Sequence, residues 1–253
     1  MKLLSVALNV EARKLRAARV VHATTVFLIL GVGAIATGMT LAARSGNAAV
    51  IAKLGPAASL PGWEGLLAVV LQITAAAAVL AFGVVLSWLI GREFADGTVT
   101  GLFALPVARA TIVTAKLVVY LLWTVSVGIV LVFVVALVGL VLDLEPPASG
   151  VAPLLLRLMV LTVLSAVVPL PAAWVATIGR GILPGIGTTI GIIAVAQIMA
   201  VAGVGAWFPF TAPALWAIEA GAVTPGQLST VLVVLALFGS LTVNAWSRLQ
   251  LDR

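Results

Sequence analysis

The sequence predicts an all-α membrane protein. It reads as six transmembrane helices with an N-terminal amphipathic interfacial helix, a short cytoplasmic helix in one loop, and an outer re-entrant segment. Three observations predict this. The 253 residues are 63% hydrophobic and 9% charged, against about 45–50% and about 25% in a soluble domain. The uncharged residues fall in runs long enough to cross about 30 Å of hydrocarbon, which takes roughly 20 apolar residues. The basic residues are spread unevenly between alternate loops. So little charge cannot cover a water-facing surface, which excludes a soluble enzyme, a nucleic-acid module and a disordered chain. The chain has no cysteine, so disulfides and thiolate chemistry are excluded as well.

The whole chain, 1–253, reads as one transmembrane domain. Its first 19 residues form a basic amphipathic pattern. Lys2, Ser5, Asn9, Arg13 and Arg16 recur at three- and four-residue spacing and share one helix face, with Leu4, Leu8 and Leu15 opposite. Glu11 and Lys14 fall on the apolar side, three residues apart, where they can pair. Such a helix belongs in the headgroup plane, against anionic lipid.

Charge-free stretches then place the spans. Arg19 to Arg44, Glu64 to Arg92, Lys116 to Asp143 and Arg157 to Arg180 give helices at about 20–43, 66–90, 117–142 and 154–178. The first is too long for a signal-peptide core and reads as a retained anchor. Pro169 and Pro171 predict a kink in the fourth. The next uncharged stretch is too long for one helix, and Trp207-Phe208-Pro209 divides it into a span at about 183–206 and a proline- and aromatic-rich segment. That segment is too apolar for a hydrated loop, and we expect it to dip into the outer leaflet packed against protein. A sixth span follows at about 227–247. An even number of spans puts both termini on one side. If that side is cytoplasmic, it carries 11 of the 14 Lys and Arg residues, as the positive-inside rule requires. Trp63, Trp88, Trp174, Trp207, Trp216 and Trp246 fall near span ends, as amphipathic rings at the headgroup level should.

The loop at 91–116 is organised. Asp96-Gly97 is a turn signal. Thr98 suits an N-cap, Leu102, Phe103 and Leu105 give a short helix an apolar side, and Pro106 stops it. With Arg92, Glu93, Asp96 and Arg109 around it, this helix is either a docking element for a cytoplasmic partner or a helix lying on the membrane surface. No set of residues supports an active site or a metal centre, and there is no Gly-x-x-x-x-Gly-Lys-Ser/Thr loop for ATP. The deep polar residues are neutral, where ion-coupled transport leaves ionisable groups. Among them, Gln72 and Gln197 are candidates to line a path for an amphipathic substrate. Small residues allow close helix approach in lipid. Gly181, Gly185, Gly187 and Gly191 on the fifth span, and Ala34, Gly38 and Ala42 on the first, are the candidate subunit contact.

These features together resemble the permease subunits of type-2 ABC exporters. The specific part is the loop, where Glu93, Gly97-Thr98, Leu105-Pro106-Val107 and Arg109 match the family's E-x-x-x-G-T and L-P-V-x-R pattern. Among these subunits the chain is most similar to small stand-alone permeases of drug, antibiotic and bacteriocin-immunity export. The resemblance implies a second permease copy or homologue and two cytoplasmic ABC ATPase subunits, which bind the ATP and magnesium; this chain is then not an enzyme by itself and holds no cofactor. It also implies that Thr98–Leu105 is a coupling helix, that residues 1–19 are a connecting helix, and that the protein sits in the cytoplasmic membrane of a bacterium. Two rival classes are an ATPase-independent secondary transporter or channel and a non-transporting scaffold or sensor.

The topology has a direct test. Single cysteines at Ser45, Ser149 and Thr224 of this cysteine-free chain should label from outside, whereas one at Thr98 should label only after the membrane is opened. External labelling at Thr98 would end the six-span arrangement.

Overall fold

The computed structural model describes residues 2–104 and 106–250, and the side chains of all of these except Lys2 and Phe103. Among the described residues the regular structure is helical. An N-terminal helix α1 (Lys2–Ala17) leads into α2 (Arg19–Arg44), and the short α3 (Ala48–Leu54) precedes the long α4 (Gly62–Ala95). The loop helix α5 (Val99–Phe103) and the long α6 (Arg109–Val141) follow. Next come α7 (Ala152–Val167), α8 (Leu170–Ile178) and α9 (Ile182–Val201), then three shorter or terminal helices, α10 (Ala212–Ile218), α11 (Pro225–Leu228) and α12 (Thr230–Ser247). Counting α7 with α8 and α11 with α12, six units are long and apolar enough to cross a bilayer.

The six long apolar helices overlap the charge-free runs of the sequence and differ from them informatively at their ends. At 1.5 Å per residue, the 34 residues of α4 and 33 of α6 make helices about 50 Å long, well beyond about 30 Å of hydrocarbon. The loop between them is therefore 96–108, not 91–116, and the charged residues at its margins belong to rigid helix. The fourth span breaks between Val167 and Leu170, as the missing N–H groups of Pro169 and Pro171 require. The fifth helix stops at Val201, earlier than expected, because Gly203 at φ +75° turns the chain before the aromatic run is reached.

The core is built on α4. It packs against α2, α7, α8 and α9, and half of its length is buried. By contrast, α9 and α12 are largely exposed apolar cylinders, which is the surface a bilayer or a second subunit covers. Arg157 of α7 holds the segment after α9. Its guanidinium donates to the Trp216 carbonyl at 2.5 Å and lies 5.4 Å from the centre of that ring, so α10 is drawn onto α7 and α4. Trp63 and Trp246, expected at the headgroup level, are instead buried within the protein. Trp63 fills the space that Gly139 leaves open, and the Trp246 indole donates to Thr177 Oγ1 at 3.0 Å.

Glycine lets α4 and α9 approach closely. A Cβ at Gly91 would lie 2.6 Å from the backbone of Gly181 and Ile182, and one at Gly83 would overlap Thr189. Backbone cannot move aside as a side chain can. Gly91→Ala should therefore cost about 1–3 kcal/mol, the usual range for overpacking, whereas Gly187→Ala, which meets open space, should leave stability unchanged. Thermal unfolding in detergent checks this; an unchanged Tm for Gly91→Ala would contradict the close approach.

Candidate functional site

Four charges meet where α1, α4 and α6 converge. Along α1 and just past its end, Leu8, Glu11, Leu15 and Ala18 recur at three- and four-residue spacing and form the face turned toward the protein, with Glu11, Leu15 and Ala18 buried. Leu4, expected on this face, is exposed. Glu93 continues the buried Leu86–Ile90 stripe of α4, and Lys116 continues the Ile112–Val119 stripe of α6. Three helices thus each turn a charge inward at one level. Lys14 Nζ contacts Glu11 Oε1 at 3.1 Å and Glu93 Oε1 at 3.0 Å. Lys116 Nζ contacts Glu11 Oε2 at 2.8 Å and Glu93 Oε1 at 2.7 Å. The result is a closed ring of alternating sign and zero net charge. Lys116 is 0% exposed, Glu11 and Glu93 are each 2% exposed, and Lys14 forms the half-open edge.

Burial of this kind is tolerable only because each charge has two opposite neighbours. At Lys14, burial works against the ammonium, but Glu11 and Glu93 together outweigh it and the pKa is raised. The expected Glu11–Lys14 pair is present; the ring it belongs to was not foreseen. A signal for it did exist, since Glu93 and Lys116 both fall on the apolar stripe of their helix.

One bond leads out of the ring. Glu93 Oε2 accepts from Thr98 Oγ1 at 2.5 Å. Thr98 was expected to cap the loop helix, yet it makes no side-chain cap bond to α5. Its backbone is already helical (φ −72°, ψ −13°), a geometry that takes the hydroxyl away from the first amides, and a charged acceptor makes the stronger bond. Gly97 at φ +68° makes the turn that the Asp96-Gly97 pair predicts.

The other loop residues separate into inward and outward groups. Glu93, expected at the docking surface, is buried in the ring and cannot touch a partner there. Arg109, expected to orient the loop, donates instead to the Leu249 carbonyl at the end of the chain's last helix. Arg92 stays at the surface, 3.7 Å from Asp96 and 4.6 Å from the centre of the Trp88 ring. Asp96 and Gly97 are exposed, and Leu102 packs partly on the core. The Phe103 side chain and Leu105 lie outside the described residues.

The small residues proposed as a subunit contact also divide. Gly185 is closed within its own chain, where a Cβ would strike Ser87 and Ala176, and Gly181 backs onto Gly91. Gly185 serves packing inside the subunit, because α4 needs it to approach α9, whereas a Cβ at Gly181 would meet only Pro184 and the Gly179 carbonyl at ordinary contact distance. Gly187, Gly191, Ala34 and Gly38 face outward, and Ala42 is partly covered. Gln72 and Gln197, 125 positions apart in sequence, come together on one cavity of about 210 Å³ between α4, α9 and α10, with Phe210 and Thr211 on its wall.

The ring makes a sharp stability prediction. Lys116→Met leaves two buried carboxylates with only Lys14 and should destabilise by about 3–5 kcal/mol, the cost of breaking a buried pair from one side. Arg92→Ala removes a surface pair and should cost less than about 1 kcal/mol. Thermal melting of the purified variants compares them; equal melting points would mean that the ring contributes nothing.

Comparison with known proteins bears on what this arrangement belongs to. The family model described as ABC-2 family transporter protein matches residues 7–197, a stretch that begins within α1 and includes the ring, the loop helix and most of α9. No curated protein and no solved structure matches the chain. The matched stretch covers well over half of the sequence and all four residues of the ionic ring, and the chain belongs to the ABC-2 family of transporter proteins.

Proposed function

We propose that this chain is the permease subunit of an ATP-driven exporter of hydrophobic or amphipathic drugs, antibiotics or peptides. Membership of the family implies partnership with an ABC ATPase. The observation that carries the reading is the loop helix α5, fastened through Thr98 and Glu93 to the ends of the two longest helices. A partner that pushes on this helix acts on the whole length of α4 and α6. The ATPase subunits bind ATP and magnesium, and this chain contributes the path. Exposed Asp96 and Gly97 and partly exposed Arg92, with Phe103, form the docking face.

In this reading both termini are cytoplasmic, in a bacterial cytoplasmic membrane. The basic face of α1, with Arg13 and Arg16 exposed, lies against anionic headgroups. Two permease copies meet through the outward-facing Ala34 and Gly38 of α2 and Gly187 and Gly191 of α9. The cavity between Gln72 and Gln197 is a stretch of the substrate path. Its two amides, with Thr211, supply hydrogen-bonding groups in a largely apolar wall, which suits an amphipathic molecule.

The test is recovery of the ATPase with the permease at matched membrane levels. Phe103→Ala should weaken association roughly ten- to a hundredfold, the effect of removing one buried aromatic side chain of about 1.5–3 kcal/mol. Native mass spectrometry of the recovered complex should give two permease copies. Full recovery and transport with Phe103→Ala would reduce the loop to a surface helix. A permease that retains no ATPase at all would favour the scaffold or the ATPase-independent transporter.

A further inference from the structure

The ring and the loop helix are joined at one point. Both oxygens of Glu11 are taken by lysines, and Glu93 Oε1 is shared by Lys14 and Lys116. That leaves Glu93 Oε2 free to hold Thr98 at the start of α5. Lys116 is wholly buried and bound to both carboxylates, so a displacement of Glu93 that did not carry Lys116 along would open a fully buried ion pair. Glu11 and Lys14 lie one helical turn apart on the rigid α1, so the same displacement would break a contact to that helix as well. Each of these separations strands charge in a protein interior, which is far costlier than moving the helices together. By contrast, Arg92 pairs with Asp96 and lies over the Trp88 ring on the outer side of α4, apart from the ring of four charges.

We propose that Thr98, Glu93 and Lys116 are positioning residues that carry a displacement of the loop helix into both α6 and the N-terminal helix, so that α1, α5 and the adjoining ends of α4 and α6 shift as one unit. The proposal rests on the docking role given to α5, and it adds that α1 is a driven part of the moving unit and not only an anchor on the lipid. Thr98 is the link that can be cut without opening the ring, since its hydroxyl meets Glu93 at Oε2 and, at 3.4 Å, at the backbone carbonyl, and neither contact is one of the four ion pairs.

Hydrogen exchange of the permease–ATPase complex in lipid nanodiscs tests it, with and without vanadate trapping of nucleotide. In the native complex, trapping should change the protection of residues 2–17. In Thr98→Val, compared at equal ATPase occupancy, that change should shrink by about tenfold, the scale set by one hydrogen bond to a charged group. Protection of the same residues without nucleotide should stay as in the native chain, which separates a transmitting role from a merely stabilising one. No nucleotide-dependent change in residues 2–17 of the native complex, or the same change in Thr98→Val, would overturn the proposal. If no ATPase binds, the exporter reading fails first, and the link is then tested in the permease alone. Spin labels on cysteines at the exposed positions Arg13 and Thr100 should give a narrow distance distribution that broadens in Thr98→Val. An unchanged distribution in that variant overturns the link as well.

Discussion

Two lysines and two glutamates with little access to water fix how α1, α4, α6 and the loop helix relate to one another. Apolar packing alone would not do so, because one greasy helix face slides on another at little cost and neighbouring registers bury similar area. A ring of alternating charge admits one register. Shifting α1 by a single turn would take Glu11 and Lys14 away from Lys116 and Glu93 and leave all four short of partners. The placement of α1 on α6, the alignment of α4 with α6 and the attitude of the short loop helix all follow from this constraint. The remainder of the fold is arranged around α4 by shape, through Gly83, Gly91 and Gly185 and the side chains they admit.

What could be read from the sequence divides along the same line. Span number and approximate position depend on local hydropathy alone, and a run of uncharged residues carries that information wherever it occurs. The Gly97 turn was legible because only one residue type occupies that backbone region without strain. The proline break in the fourth span was legible because a missing N–H needs no partner to identify it. The ring depends on residues 11, 14, 93 and 116 meeting in space, and a charge at the end of a span reads equally well as a topological marker. Lys116 bounds a charge-free run in the sequence and is wholly buried in the structure. Thr98 was assigned by a local rule for helix starts, and a carboxylate outside the helix outcompeted the backbone for its hydroxyl. The small-residue rows were visible, but sequence does not distinguish a glycine that admits a neighbouring helix of the same chain from one left open. Gly185 and Gly187 fell into opposite classes two positions apart.

The glutamines illustrate a third situation. Gln72 and Gln197 were singled out separately, each as a polar group in apolar surroundings, and nothing in their spacing joins them. They share a cavity because α4 and α9 pack along their length and α10 closes the gap beside them. The anchor for that closure is Arg157, whose bond to the Trp216 carbonyl holds the segment in place from the fourth span.

The length of α4 and α6 has a consequence for the lipid around them. Both helices exceed the hydrocarbon thickness by about 20 Å, so the bilayer does not dictate where along them the apolar belt must end. Membranes differ by several ångströms in thickness, and a helix cut to the hydrocarbon must tilt or stretch to match. Here the surplus turns absorb the difference. The ionic ring is shielded by protein and not by acyl chains, and Trp63, at a helix end where tryptophan elsewhere marks the headgroup level, is turned inward. The ends of this bundle are set by its own contacts, so the platform that carries the loop helix keeps its geometry while the composition of the surrounding membrane varies.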